Sequence, residues 1–126
     1  MIAGPGIDRV EIGRIRDRLA KYGERFLKKH FHTSEIERSK RYFDPSAYFA
    51  ARFAAKEAFS KAVGTGFTGF APIDVIVVSE NGKPPRIAFS EKLKSRFPDV
   101  RESDFLLSLS HEKGMAAASV IQVKIS

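Results

Sequence analysis

Phe49, Phe53, Glu57 and Lys61 follow one another at intervals of four, which on a helix places them in a single row, with Ser60 beside its end. The row turns from apolar to charged at Glu57. If Phe49 and Phe53 face the core, Glu57 sits at the core's edge, where an isolated carboxylate is costly and a cation offsets the cost. Spacing alone leaves two readings open: a surface Glu57–Lys61 pair worth ~0.2–0.5 kcal/mol, or a carboxylate held for a divalent metal. Arg52, Lys56, Ser60 and Lys61, followed by Gly64-Thr65-Gly66, put cations and flexible backbone amides near that carboxylate, a setting that suits phosphate. Magnesium commonly binds one or two carboxylates together with substrate phosphate oxygens, and Asp8 is the natural second carboxylate. The glycine pair is also an ordinary helix stop and does not match a P-loop, so nucleotide hydrolysis is not indicated. His111 follows an apolar stretch and opens a turn to Gly114, from which a side chain reaches a cleft as hydrogen-bond donor or general base. His30 and His32, in a polar cationic stretch, are read as solvated or structural.

The elements that must carry these residues are legible in the pattern. Residues 2–8 read as a strand whose Gly4-Pro5-Gly6 segment lets the backbone bend or approach something closely, with Asp8 near the strand's end. From Glu11 the spacing is helical, with Ile12, Ile15 and Leu19 on one face and Arg14, Arg16, Arg18 and Lys21 on the others, until Gly23. A short helix is expected over 24–30, with Phe26 and Leu27 inward, and a third after a Ser34-x-x-Glu37 capping box. Asp44-Pro45 predicts the start of a central helix that Gly64 closes. Residues 73–79 are a strand candidate, Asn81-Gly82-Lys83-Pro84 a turn, 86–89 a second strand, and Ser90 caps a helix to Phe97. Residues 105–110 and 115–125 form the last two strands around a turn from His111 to Gly114. The class is α+β, one domain over residues 1–126, with an antiparallel sheet packed on the long central helix.

Composition narrows the function. The 126 residues carry a formal net charge of +7, and residues 9–42 hold eleven Lys or Arg against five Asp or Glu. That cationic third suits an anionic partner without naming it. The absence of cysteine removes disulfides, thiolate zinc sites and thiol nucleophiles, and no His-x-x-x-His or His-Glu-x-x-His pair supports zinc. No apolar run approaches the ~20 residues of a membrane span, and residues 1–10 do not read as a signal peptide, so the expected setting is the cytoplasm with no membrane partner. A basic nucleic-acid-binding module accounts for the charge and the eleven phenylalanines, yet gives no reason for a carboxylate in an apolar helical row. No nucleic-acid partner is expected.

Four blocks together carry a resemblance: Gly6-Ile7-Asp8 with Val10-Glu11-Ile12 and Arg14-Ile15; the run from Arg52 through Lys56, Glu57, Ser60 and Lys61 to Gly64-Thr65-Gly66; Asn81-Gly82-Lys83-Pro84; and Ser108-Leu109-Ser110-His111 with residues 116–120. In this order the chain resembles the holo-acyl carrier protein synthases, small bacterial 4′-phosphopantetheinyl transferases. The resemblance implies a trimer with active sites between neighbours. It implies transfer of 4′-phosphopantetheine from coenzyme A to a serine of acyl carrier protein, in fatty acid biosynthesis, with release of adenosine 3′,5′-bisphosphate. Carried over residue by residue, Asp8 and Glu57 look like magnesium ligands and Lys61 like a contact to the transferred phosphate. Arg52, Ser60, Gly64, Thr65 and His111 look like parts of the coenzyme A site, with Asn81, Gly82, Lys83 and Pro84 near the adenine. Arg14, Arg18 and Lys21 would dock the acidic carrier. Two positions depart from the family's pattern: Arg9, expected on the face opposite Asp8, and Pro5, which bears on strand hydrogen bonding rather than on the metal.

Overall fold

A computed structural model describes residues 2–123. In chain order the elements are β1 (Ile2–Glu11), α1 (Ile12–Tyr22), α2 (Glu24–His30), α3 (Thr33–Ser39), α4 (Ser46–Ala62), β2 (Val75–Val78), β3 (Arg86–Phe89), α5 (Glu91–Arg96), β4 (Phe105–Glu112) and β5 (Met115–Val123). Strands β1, β5 and β4 form an antiparallel sheet in that order, and β2 and β3 form a separate antiparallel pair. Alternation sends Ala116, Ala118, Val120 and Gln122 of β5 inward, where they are buried against α4.

Helix α4 has 17 residues, and Ala50, Ala51, Ala54, Ala55, Ala58 and Ala62 are all buried, so its backbone can be approached closely on several sides. Strand β1 uses this. A Cβ built on Gly6 would lie 1.9 Å from the Ala58 carbonyl oxygen, and one on Gly4 would lie 2.5 Å from that of Ala62. Only glycine lets this strand rest on the helix backbone. Around α4 the core has two parts. Phe59, Phe70, Phe89 and Phe105 pack with Val75, Ile87 and Leu93, while Phe31 and Phe49 pack with Ile12 and Ile15.

Several boundaries differ from the sequence expectation. Strand β1 runs on to Glu11, paired with β5 throughout, so Asp8 lies within the strand and not near its end. Residues 72–74 form a 3-10 turn ahead of β2, because Pro72 supplies no ladder donor and Asp74 turns back to accept from Ala71 N at 2.8 Å. The capping box of α3 is His32 with Glu35, not Ser34 with Glu37: Ser34 N donates to His32 Nδ1 at 3.2 Å and His32 N to Glu35 Oε1 at 2.8 Å. Helix α4 begins at Ser46, so the N-cap position is Pro45 and not Asp44; Asp44, one residue before it, accepts from Ser46 N at 3.0 Å. His111 belongs to β4, opposite Ala116; the turn is Lys113-Gly114, both at positive φ. Residues 124 and 125 of the expected last strand lie outside the described residues.

Candidate active site

The glycine contact between β1 and α4 determines what Asp8 meets. Gly4, Gly6 and Asp8 share one face of the strand, so two residues beyond Gly6 the carboxylate projects onto the next exposed turn of α4, beside Glu57 and Lys61. Lys61 Nζ lies 2.8 Å from Asp8 Oδ1 and 3.3 Å from the Ile7 carbonyl oxygen. The i, i+4 pair between Glu57 and Lys61 is therefore replaced by a pair with a residue 53 positions away. The Asp8 bond, with its negative charge, raises the Lys61 pKa above the ordinary lysine value. Glu57 is half-buried, and among the described residues its carboxylate has no hydrogen bond or ion pair. Its burial, and then the charge of Asp8, push its pKa up, while Lys61 and Arg14 pull the other way.

These groups line a groove of about 870 Å³ between β1, α1, α2 and α4. Asp8, Glu57 and Lys61 stand at one end with Arg14, and Phe26, His30 and Phe53 at the other with Arg18 and Lys29. Lys21 points elsewhere, its Nζ 5.3 Å from the Tyr22 ring centroid. Arg9 is exposed, on the strand face away from Asp8 as alternation requires, and it reaches the groove's edge.

The cation cluster expected around Glu57 is split by the helical repeat. Lys56 is fully buried on another face, bonded to Glu35 Oε1 at 2.8 Å, to Pro72 O at 3.0 Å and to Val75 O. Arg52 lies flat on Tyr48, 3.8 Å from its ring centroid, and donates to Ser79 Oγ at 2.7 Å. The Ser60 hydroxyl is turned back onto the Glu57 carbonyl oxygen at 2.6 Å, so it is buried and committed within the helix. Gly64 and Thr65 lie in the loop after α4, where Thr65 Oγ1 donates to Gly66 O at 2.8 Å; they line neither cavity described here.

Arg52 belongs to a second cavity of about 450 Å³, with Arg38, Ser79, Lys83, Pro84 and Ser108. Arg38 and Arg41 both donate to Asn81 Oδ1, at 3.3 and 3.0 Å, so Asn81 serves here to hold two guanidinium groups. Among the described residues, the Nε atoms of Arg38 and Arg52 are buried without a partner. Glu80, the acid beside them, is taken up by Lys83 and Arg86 at 3.3 and 3.5 Å. A buried donor without an acceptor is costly, and an anion in this cavity would relieve two. His111 is exposed at the end of β4 and lines neither cavity of its own chain. The sequence reading did not single out Arg38, Phe26, Phe53 or His30 for a site. The run Arg38, Lys40, Arg41 was the available signal for the first, and no spacing links any of them to Asp8.

Known proteins are similar over the same span. The model of the 4′-phosphopantetheinyl transferase superfamily matches residues 4–118. A holo-acyl-carrier-protein synthase of Ehrlichia chaffeensis is 43% identical, with 96% of each chain covered. Among solved structures, the holo-acyl-carrier-protein synthase of Neisseria meningitidis superposes with a TM-score of 0.88 at 31% identity, covering 98% of this chain and 100% of that one. That of Helicobacter pylori, in complex with coenzyme A, gives 0.79 at 32% identity, covering 92% and 96%.

Proposed function

The chain belongs to the 4′-phosphopantetheinyl transferase superfamily, among the holo-acyl-carrier-protein synthases, and from that premise we propose how its own residues act. The reaction moves 4′-phosphopantetheine from coenzyme A to a serine hydroxyl of apo-acyl carrier protein, in the cytoplasm, in support of fatty acid biosynthesis. The serine oxygen attacks the β-phosphorus of the pyrophosphate, the bond to the bridging oxygen breaks, and adenosine 3′,5′-bisphosphate leaves.

The observation that carries this reading is the meeting of Asp8, Glu57 and Lys61 at one end of a groove with a cationic rim. A carboxylate, Glu57, whose charge is disfavoured by burial and by the nearby Asp8 fits a hard divalent cation, and among the described residues no third acidic or histidine ligand joins the two. Such a pair suits magnesium, which takes its remaining ligands from phosphate and water. Magnesium would supply positive charge for the phosphoryl oxygens. Lys61 adds charge on the transferred phosphate, and Asp8 holds its ammonium in place. Glu57 and His111 are both candidates for the base that takes the serine proton. The second cavity, with Arg52, Lys83 and Pro84, suits the nucleotide end of coenzyme A, and Arg38 joins them. Gly82, Gly64 and Thr65 line neither cavity, and their part in coenzyme A binding rests on the family resemblance. Arg14 and Arg18, with Lys21 outside the groove, receive the acidic carrier.

A homotrimer is part of the proposal. The outer face of the three-stranded sheet exposes Ile7 at 66% and Leu106 at 60%, beside the half-buried Ser119 and Ile121 of β5. A threefold contact over that face would cover these side chains and let His111 serve a neighbour's site. Incubation with coenzyme A, magnesium and apo-carrier protein, read by mass spectrometry, tests the whole: the carrier gains one phosphopantetheine. An unchanged carrier mass overturns the reading.

A further inference from the structure

Past Arg14 the groove continues to an end walled by Ile15, Phe26, His30 and Phe53. The His30 ring packs against two aromatic rings that also touch each other, its centroid 4.7 Å from that of Phe26 and 5.7 Å from that of Phe53. Its Nδ1 lies 2.9 Å from the Phe26 carbonyl oxygen. A carbonyl only accepts, so in the neutral ring Nδ1 carries the hydrogen and Nε2 keeps its lone pair. Among the described residues Nε2 has no partner, and the ring is half-buried in the groove wall. The other polar groups at this end, Arg18 and Lys29, are donors only. His30 therefore presents a single, oriented acceptor in a wall of apolar rings and cations.

We propose that His30 is a specificity-determining residue for the carrier protein: its Nε2 accepts a hydrogen bond from a hydroxyl- or amide-bearing side chain that the carrier lays against the edges of the packed Phe26 and Phe53 rings. The carrier's acidic groups meanwhile meet Arg14, Arg18 and Lys29. This rests on the reading that the groove receives the carrier. The acceptor exists only while the ring is neutral. Burial holds the His30 pKa below its usual value, and the cations Lys29 of its own helix, Lys56 of α4 and Arg18 of α1 act in the same direction, against the Phe26 carbonyl. The acid on the neighbouring 72–74 turn, Asp74, is bonded to Ala71 N and Ser90 Oγ. Protonation converts Nε2 from acceptor to donor, so carrier recognition weakens on acidification.

Steady-state kinetics with coenzyme A, magnesium and apo-carrier decide this for the wild type, His30→Phe and His30→Gln, each shown to melt as the wild type does. His30→Phe keeps a flat ring and loses the acceptor; it raises KM for the carrier about threefold to tenfold, the worth of one hydrogen bond, with kcat and the coenzyme A KM retained. His30→Gln, whose amide oxygen can reach the place of Nε2, restores most of the loss. On acidification KM for the carrier rises more steeply for the wild type than for His30→Gln. An unchanged KM in His30→Phe, or a His30→Gln no better than it, overturns the role of Nε2. So does a wild-type KM that falls on acidification relative to His30→Gln, which would mark a protonated ring pairing with a carrier carboxylate. A wild type that transfers nothing overturns the proposed function itself; an active wild type with an indifferent His30→Phe overturns only this inference.

Discussion

Lys56 and Glu57 are neighbours on α4 and have opposite surroundings. Lys56 is fully buried, and its ammonium group has three oxygens around it. Its counter-ion Glu35 is closed as well, accepting from His32 N at 2.8 Å and from Val77 N at 3.1 Å. Burial pulls the Lys56 pKa down and Glu35 pulls it back, and the network ties α3, α4 and β2 together. One residue on, and about 100° around the helix, Glu57 borders a groove with Asp8 close by and its carboxylate unbonded among the described residues. The Lys56 charge is satisfied by the chain itself, whereas the Glu57 charge is left incomplete among the described residues.

Changing each side in turn breaks or sharpens that contrast. The largest effect falls on turnover: Glu57→Gln and Asp8→Ala each lower it by at least about a hundredfold to a thousandfold while leaving the melting curve near the wild type's. Normal turnover at saturating magnesium would remove both from the metal site. On the closed side, Lys56→Met or Glu35→Gln lowers the free energy of unfolding by about 3–5 kcal/mol in denaturant titration, because each leaves a buried partner uncompensated. Replacing both together with apolar residues costs less than the sum of the two; an additive loss would show that the pair is not a unit. The smallest effect is at the rim, where Arg14→Glu raises KM for the carrier about tenfold, less so in high salt, with kcat retained. An unchanged KM there takes α1 out of the docking surface.

Much of this was readable before any coordinates. The four-residue row from Phe49 to Lys61 placed Glu57 at the core's edge, and apolar spacing with cap and turn residues located most elements, because these are local properties. The row did not say which neighbours Glu57 keeps. Sequence proximity put Arg52 and Lys56 beside it, but the 3.6-residue repeat turns them to other faces, and their true partners, Ser79 and Glu35, lie 27 and 21 residues away. Gly4 and Gly6 read as a bend or a close approach; what they approach, the helix backbone against which a Cβ would collide, is visible only once β1 and α4 are packed. His32 as a helix cap escaped notice because Ser34 offered the commoner capping residue two positions on. The two unpartnered guanidinium nitrogens have no sequence signature at all, since burial and the lack of an acceptor arise only in three dimensions.

The account stands on one divalent ion shared by Asp8 and Glu57, and a crystal grown with coenzyme A and manganese in place of magnesium tests it most directly. Anomalous scattering is expected to show a single strong peak at the Asp8 and Glu57 carboxylates beside the pyrophosphate. An ordered coenzyme A with no peak there, or a peak ligated by neither carboxylate, would contradict it.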